Sequence, residues 1–192
     1  LLLWLGVIAL AASLVFFFAY NWDAMGRYAK FGLAEGAIVL AICCYYKFAH
    51  KPIVTNATLT LAALMLGALL ALYGQTYQTG ADPWQLFFNW AILILPLAFI
   101  AQSAALWLLC LVLVNLAIAL YHHAFRGVMH LLLGSNEATL WIHFCVNITA
   151  LILWEFSALR WQWLAASWAR RCIALSCSAL ITWMCILAIA SN

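Results

Sequence analysis

The chain opens with twenty residues, 1–20, that include no charged side chain. An uninterrupted apolar run of this length matches the roughly 20 residues that a helix needs to cross a bilayer, and it exceeds ordinary core helices of soluble domains. Only 7% of all 192 residues are charged, whereas a soluble domain carries about 25%. Most of the surface must therefore face lipid.

Apolar runs bounded by charge, glycine or proline predict an all-α fold, a polytopic transmembrane helix bundle of about seven spans with one or two interfacial helices. The predicted spans are 1–20, 32–48, 57–77, 83–101, 103–121, 138–156 and 172–190. The second span is short and carries Glu35. Residues 101–103 predict either a very tight turn or a kink in one long helix.

The predicted spans form a single transmembrane domain over residues 1–192, expected to be a fragment of a longer chain because the first residue is Leu. Two segments are predicted to lie along the membrane interface. The segment 122–135 mixes His, Arg and apolar residues and is too short and polar to span. The segment 161–171 predicts a helix in the headgroup plane, because Trp161, Leu164 and Trp168 share one stripe.

The few basic residues predict a membrane orientation. Five of them, Lys47, Lys51, Arg160, Arg170 and Arg171, fall on one side of a seven-span topology, against Arg27, Lys30 and Arg126 on the other. By the positive-inside rule this excess predicts a cytoplasmic N-terminus. The net charge of +3 is dispersed, so no nucleic acid is expected as a partner. The expected partners are membrane lipid and other membrane or soluble subunits.

The connection between the third and fourth spans is the best-defined turn. Asp82 can cap the fourth helix, Pro83 suits its first position, and Gly80 suits a left-handed helix end. Gln75, Tyr77 and Gln78 are not needed for capping. Together with Asp82 and Glu35 they are therefore candidates for a polar pocket or relay, the alternative being turn chemistry alone.

Two helical stripes are also singled out by their spacing. Ala63, Gly67 and Ala71 recur every four residues in span three and predict a helix-packing seam. In span six, Thr139, His143 and Asn147 share one face. Intramembrane ionisable residues are candidate ligand or proton-relay sites, and the alternative is hydrogen bonding to a neighbouring helix.

No metal and no cofactor are predicted. His122, His123 and His130, with His143 or Glu137, lack metal-ligand spacing. The 7 cysteines show no CxxC spacing and lie in or beside apolar runs, where they behave as small hydrophobic residues. No phosphate loop, nucleophile elbow or HExxH sequence occurs.

Residues 74–90, GQTYQTGADPWQLFFNW, resemble a Gly-x-x-Tyr-Gln-x-Gly-x-Asp then Leu-Phe-x-x-Trp signature. This signature is typical of a family of predicted bacterial inner-membrane proteins of unknown function, and the resemblance extends over roughly 35–121. It implies a multi-span helical protein of a bacterial inner membrane, and it implies no activity, substrate or cofactor.

The sequence leaves three functions open. The favoured one is a non-enzymatic subunit, scaffold or sensor of a bacterial inner membrane. The alternatives are a small-solute or proton-coupled transporter that uses the stripe of span six, and an intramembrane enzyme, which needs convergent His, Asp or Glu groups in a water-accessible cavity.

Overall fold

The computed structural model describes residues 2–21, 23–125, 138–165 and 167–190, and seven long helices make up most of these residues. They are α1 (Leu2–Tyr20), α2 (Arg27–Lys47), α3 (Pro52–Tyr77), α4 (Pro83–Ala101), α5 (Ala104–Ala124), α6 (Ala138–Arg160) and α7 (Ser167–Ala190), with a 3₁₀ turn at Gln162–Leu164 before α7. Each helix is long and apolar enough to cross a membrane. The predicted all-α, seven-span fold is confirmed.

The helices begin and end where the sequence supplies stop signals. Pro52 opens α3 and Pro83 opens α4, at the helix position that tolerates a missing N–H. The α3 helix ends at Tyr77; the capping residue Gln78 has a left-handed φ of 43°, and Gly80 follows with φ of 65°. The left-handed helix end therefore lies at Gln78 as well as at the expected glycine.

The short connection at residues 101–103 is a turn. The α4 helix ends at Ala101, Gln102 adopts a left-handed φ of 47°, and α5 begins at Ala104. A continuous kinked helix would keep Gln102 in right-handed helical geometry, so the turn is the correct one of the two alternatives.

The chain divides into two compact units, and the division falls within α4 and α5. The first unit comprises Leu1–Ala81 and Ile92–Leu106. In it α3 packs against both α1 and α2. Phe18, Ala34 and Leu72, one from each helix, form a buried apolar cluster.

The second unit comprises Asp82–Ala91 and Trp107–Asn192. Here α6 packs against α7 and against the 3₁₀ turn. The buried Trp154 donates its indole N–H to the carbonyl of Leu164 at 3.0 Å. This bond holds the turn against the end of α6.

The two predicted interfacial segments differ from expectation where the structure describes them. Residues 122–124 are the last turn of α5, and 126–135 lie outside the described residues. In 161–171, the 3₁₀ turn is followed by Ser167, which already begins α7. Trp161 and Trp168 thus belong to separate elements. Because α7 begins five residues before its predicted start at 172, the connection that remains is too short for a separate interfacial helix.

Candidate functional site

The polar stripe of span six lies on α6 and is bonded along the helix. The Nδ1 atom of His143 lies 2.7 Å from the carbonyl oxygen of Thr139, one turn earlier. Asn147 donates from Nδ2 to the carbonyl of His143 at 2.8 Å. The hydroxyl of Thr139 takes no part in these bonds.

The same side chains reach two neighbouring helices. Asn147 donates from Nδ2 to the Oδ1 atom of Asn115 on α5 at 2.7 Å. The Ser176 hydroxyl on α7 donates to Oδ1 of Asn147 at 3.3 Å. His143 Nε2 lies 3.1 Å from the backbone carbonyl oxygen of Asn115. We call Asn115, His143, Asn147 and Ser176 the polar cluster.

Burial makes the polar cluster costly to break. Asn147 is 5% exposed. Burying an amide away from water destabilises the folded state unless hydrogen bonds within the protein replace those to water. Asn115 also donates to the carbonyl of Leu111 at 2.9 Å, and Ser176 donates to Ile173 at 2.7 Å. Asn115 and Asn147 thus each combine a bond along their own helix with one to another helix, and the single hydroxyl proton of Ser176 is shared between Ile173 and Asn147.

The ring of His143 lies between two acceptors. Both Thr139 and Asn115 present a carbonyl oxygen to it. A neutral imidazole donates from one nitrogen, and an imidazolium donates from both. The neutral ring can therefore satisfy one contact, and a second proton allows it to satisfy both.

Asn115 and Ser176 were not among the residues chosen from the sequence. Asn115 is the one amide within the apolar run of α5, and this isolation is the signal that marks it. Ser176 is not distinguishable by pattern from Ser178, which is exposed and bonds only its own helix. The contact with Asn147 becomes visible in three dimensions only.

The candidates at the end of α3 are not joined into one polar group. Tyr77 contacts the ring of Phe31 at 6.0 Å between centroids, and the guanidinium of Arg27 lies 5.9 Å from its ring centroid. Gln75 and Gln78 are exposed. Within the described part of the chain, neither glutamine hydrogen-bonds Tyr77. Their membership of a pocket stays a prediction.

Asp82 and the predicted packing seam of α3 are the remaining candidates. The backbone carbonyl of Asp82 accepts from the N–H of Gln85 at 3.0 Å in the first turn of α4. Ala63 and Gly67 are buried in α3, and Ala71 is half-buried. Such burial is what a packing seam requires.

The described ranges contain no group of three or more His, Cys, Asp or Glu side chains that could hold a metal ion. The buried His122 does lie close enough to His143 to interact electrostatically. His130 and Glu137 lie outside the described residues. The seven cysteines are free.

The family of predicted membrane proteins known as DUF2157 matches residues 1–107, more than half of the chain. The chain belongs to this family. The match contains the whole signature at 74–90 that the sequence analysis identified, begins earlier than residue 35 and ends before residue 121. No match was found among the curated proteins or the solved structures.

The family match divides the candidate residues into two groups. Glu35, the packing seam of α3 and the turn at 75–82 lie inside the matched residues, whereas the polar cluster lies beyond residue 107. The family is one of predicted membrane proteins of unknown function, so membership supports a membrane protein and assigns no chemistry to either group.

Proposed function

We propose that this protein is a non-enzymatic subunit, scaffold or sensor in a membrane assembly. The observation that carries this proposal is the mutual pairing within the polar cluster. The side-chain amide of Asn147 donates to Asn115 and to the carbonyl of His143, and it accepts from Ser176. Groups engaged in this way join helices, and they are not free to bind a substrate.

The experiment is purification of the full-length protein from native membranes in mild detergent or nanodiscs. We expect at least one other protein to remain bound in a constant molar ratio through size-exclusion chromatography with mass determination. Isolation of the chain alone in every mild detergent and in nanodiscs would contradict a role as subunit or scaffold.

A proton-coupled transporter is the second candidate, and the position of the His143 ring between two carbonyl oxygens favours it. If the neutral ring donates to Thr139, a second proton adds the contact with Asn115, and its loss releases that link between two helices. In proteoliposomes containing a pH-sensitive dye, His143→Ala should then abolish proton flux. Thr149→Ala, a change at an exposed residue of the same helix, should not.

We propose a bacterial inner membrane as the location, with the N-terminus in the cytoplasm. The excess of basic residues at the α2–α3 and α6–α7 connections supports this orientation. Labelling of single cysteines in intact cells tests it. A cysteine at Lys51 should be protected from an impermeant maleimide, and one at Asp23 should react; the opposite pattern would reverse the orientation.

A further inference from the structure

The exposed side of α2 carries an ionisable group well inside this candidate membrane span. Glu35 follows Arg27 by eight residues and precedes Lys47 by twelve. At a rise of 1.5 Å per residue, Glu35 lies about 12 Å along the helix from Arg27 and about 18 Å from Lys47. With a hydrocarbon core of about 30 Å, its carboxyl group is surrounded by the membrane interior.

Glu35 has no hydrogen-bond or ion-pair partner within the described ranges of the chain, and its side chain is exposed. The opposite face of α2, with Ala34 and Ala41, is buried, and α2 packs against α3. Acidic side chains within membranes pair with basic or polar groups, because hydrocarbon solvates charge poorly. A partner group is therefore required from outside the described residues.

The surface around Glu35 is shaped for close approach of another helix. Gly32 and Gly36 flank the carboxyl group, and a Cβ atom added to either one would meet nothing within 4 Å. Val39 continues the same exposed stripe at helical spacing. Glycines four residues apart allow two transmembrane backbones to come into contact. We call Gly32, Glu35, Gly36 and Val39 the Glu35 face.

We infer that the Glu35 face binds a transmembrane helix of a partner protein, and that this helix carries a basic side chain at the depth of Glu35. Charge complementarity selects this occupant. A second copy that presents the same face would bring two carboxyl groups together. Arg27 and Lys47 lie at the ends of α2, and Lys30, five residues before Glu35, belongs to the buried face. The inference rests on the proposed function as a subunit and specifies how the partner is held.

The test is site-specific photo-cross-linking of the full chain in native membranes. A photoreactive residue replaces Val39, which is 59% exposed, and a matched control replaces Leu153 on α6, which is 61% exposed. Mass spectrometry then identifies the peptides joined to each position. We expect the Val39 adduct to contain a transmembrane helix with a Lys, Arg or His residue.

The yield of that adduct should depend on charge and on space. Glu35→Ala should lower it about tenfold, the equivalent of about 1.4 kcal/mol, whereas Glu35→Asp should retain most of it. Gly36→Leu should lower it as much as Glu35→Ala by filling the surface. Adducts at Leu153 should not change. Circular dichroism and thermal unfolding in detergent verify that each variant remains folded.

Three outcomes overturn the inference: adducts of Val39 with lipid alone, adducts with another segment of this chain or with a second copy, and a partner helix that lacks a basic residue. A yield insensitive to Glu35→Ala does the same. If a protein co-purifies in constant ratio but does not cross-link through Val39, the subunit function stands and the Glu35 face is wrong. If nothing co-purifies, the proposed function itself fails.

Discussion

Replacing Asn147 with alanine should weaken the join between three helices. The change removes the 2.7 Å bond to Asn115 and the 3.3 Å bond from Ser176. Hydrogen bonds between transmembrane helices contribute about 0.6 kcal/mol on average and up to about 1.7. The shorter bond belongs in the upper part of that range. Ser176 retains its bond to Ile173, so its contact with Asn147 contributes less.

We therefore expect Asn147→Ala to lower the free energy of unfolding by about 1 to 2 kcal/mol. The assay is equilibrium unfolding in bicelles with increasing SDS, followed by circular dichroism. Thr149→Ala is the control, since Thr149 is an exposed residue of the same helix. Its effect should stay within about 0.5 kcal/mol.

A double-mutant cycle with Asn115→Ala isolates the amide pair. The contact of His143 is with the backbone carbonyl of Asn115, so it remains when the side chain is removed. The coupling between the two substitutions should be about 1 to 1.7 kcal/mol. A coupling of zero within error, or an effect of Asn147→Ala no larger than that of Thr149→Ala, would refute the reasoning.

Three further measurements test the local structure by the same unfolding assay. Gly74 and Gly80 both have open space around the missing Cβ, but of the two only Gly80 has a positive φ. Gly80→Ala should therefore destabilise the protein by about 1 kcal/mol because of backbone strain. Gly74→Ala, within α3, should stabilise it by up to about 1 kcal/mol. An equal effect of the two changes would contradict this. Trp154→Phe removes the bond to the 3₁₀ turn. It should lower the free energy of unfolding by about 1 kcal/mol and speed hydrogen exchange in residues 162–165. The control Trp141→Phe, at a position 54% exposed, should do neither. Glu155→Gln breaks the exposed 3.1 Å ion pair with Arg170 and should change stability by less than about 0.5 kcal/mol, less still in high salt; a loss above 1 kcal/mol would show that this pair is shielded from water.

Some of the helix boundaries were predictable because they depend on local chemistry. The fourth helix begins at Pro83 and ends at Ala101, as predicted, since proline starts a helix and Gln102 sits at a left-handed end. The predicted starts of the second, third and last helices, residues 32, 57 and 172, were each late by five residues. Arg170 and Arg171 marked a boundary in the sequence, yet a helix end can carry charge when its side chains reach the interface.

Half of the polar cluster was predictable, and half was not. His143 and Asn147 stand out because polar residues at helical spacing are rare in an apolar run. Asn115 and Ser176 lie in separate helices, 32 and 29 residues away from Asn147. The choice of neighbouring helices depends on packing between their surfaces. The periodicity of a single helix does not encode that choice.

Sequence alone determined the environment and the class of this protein, because the hydrophobic effect acts on each segment separately: about 20 apolar residues must leave water wherever they later pack. Tertiary structure alone decided the pairing of the polar groups. Asn147 finds two other helices, whereas Glu35 finds none within the described part of the chain. A hydrogen bond between helices requires two groups at the same depth on facing surfaces, and that geometry exists only after the helices assemble.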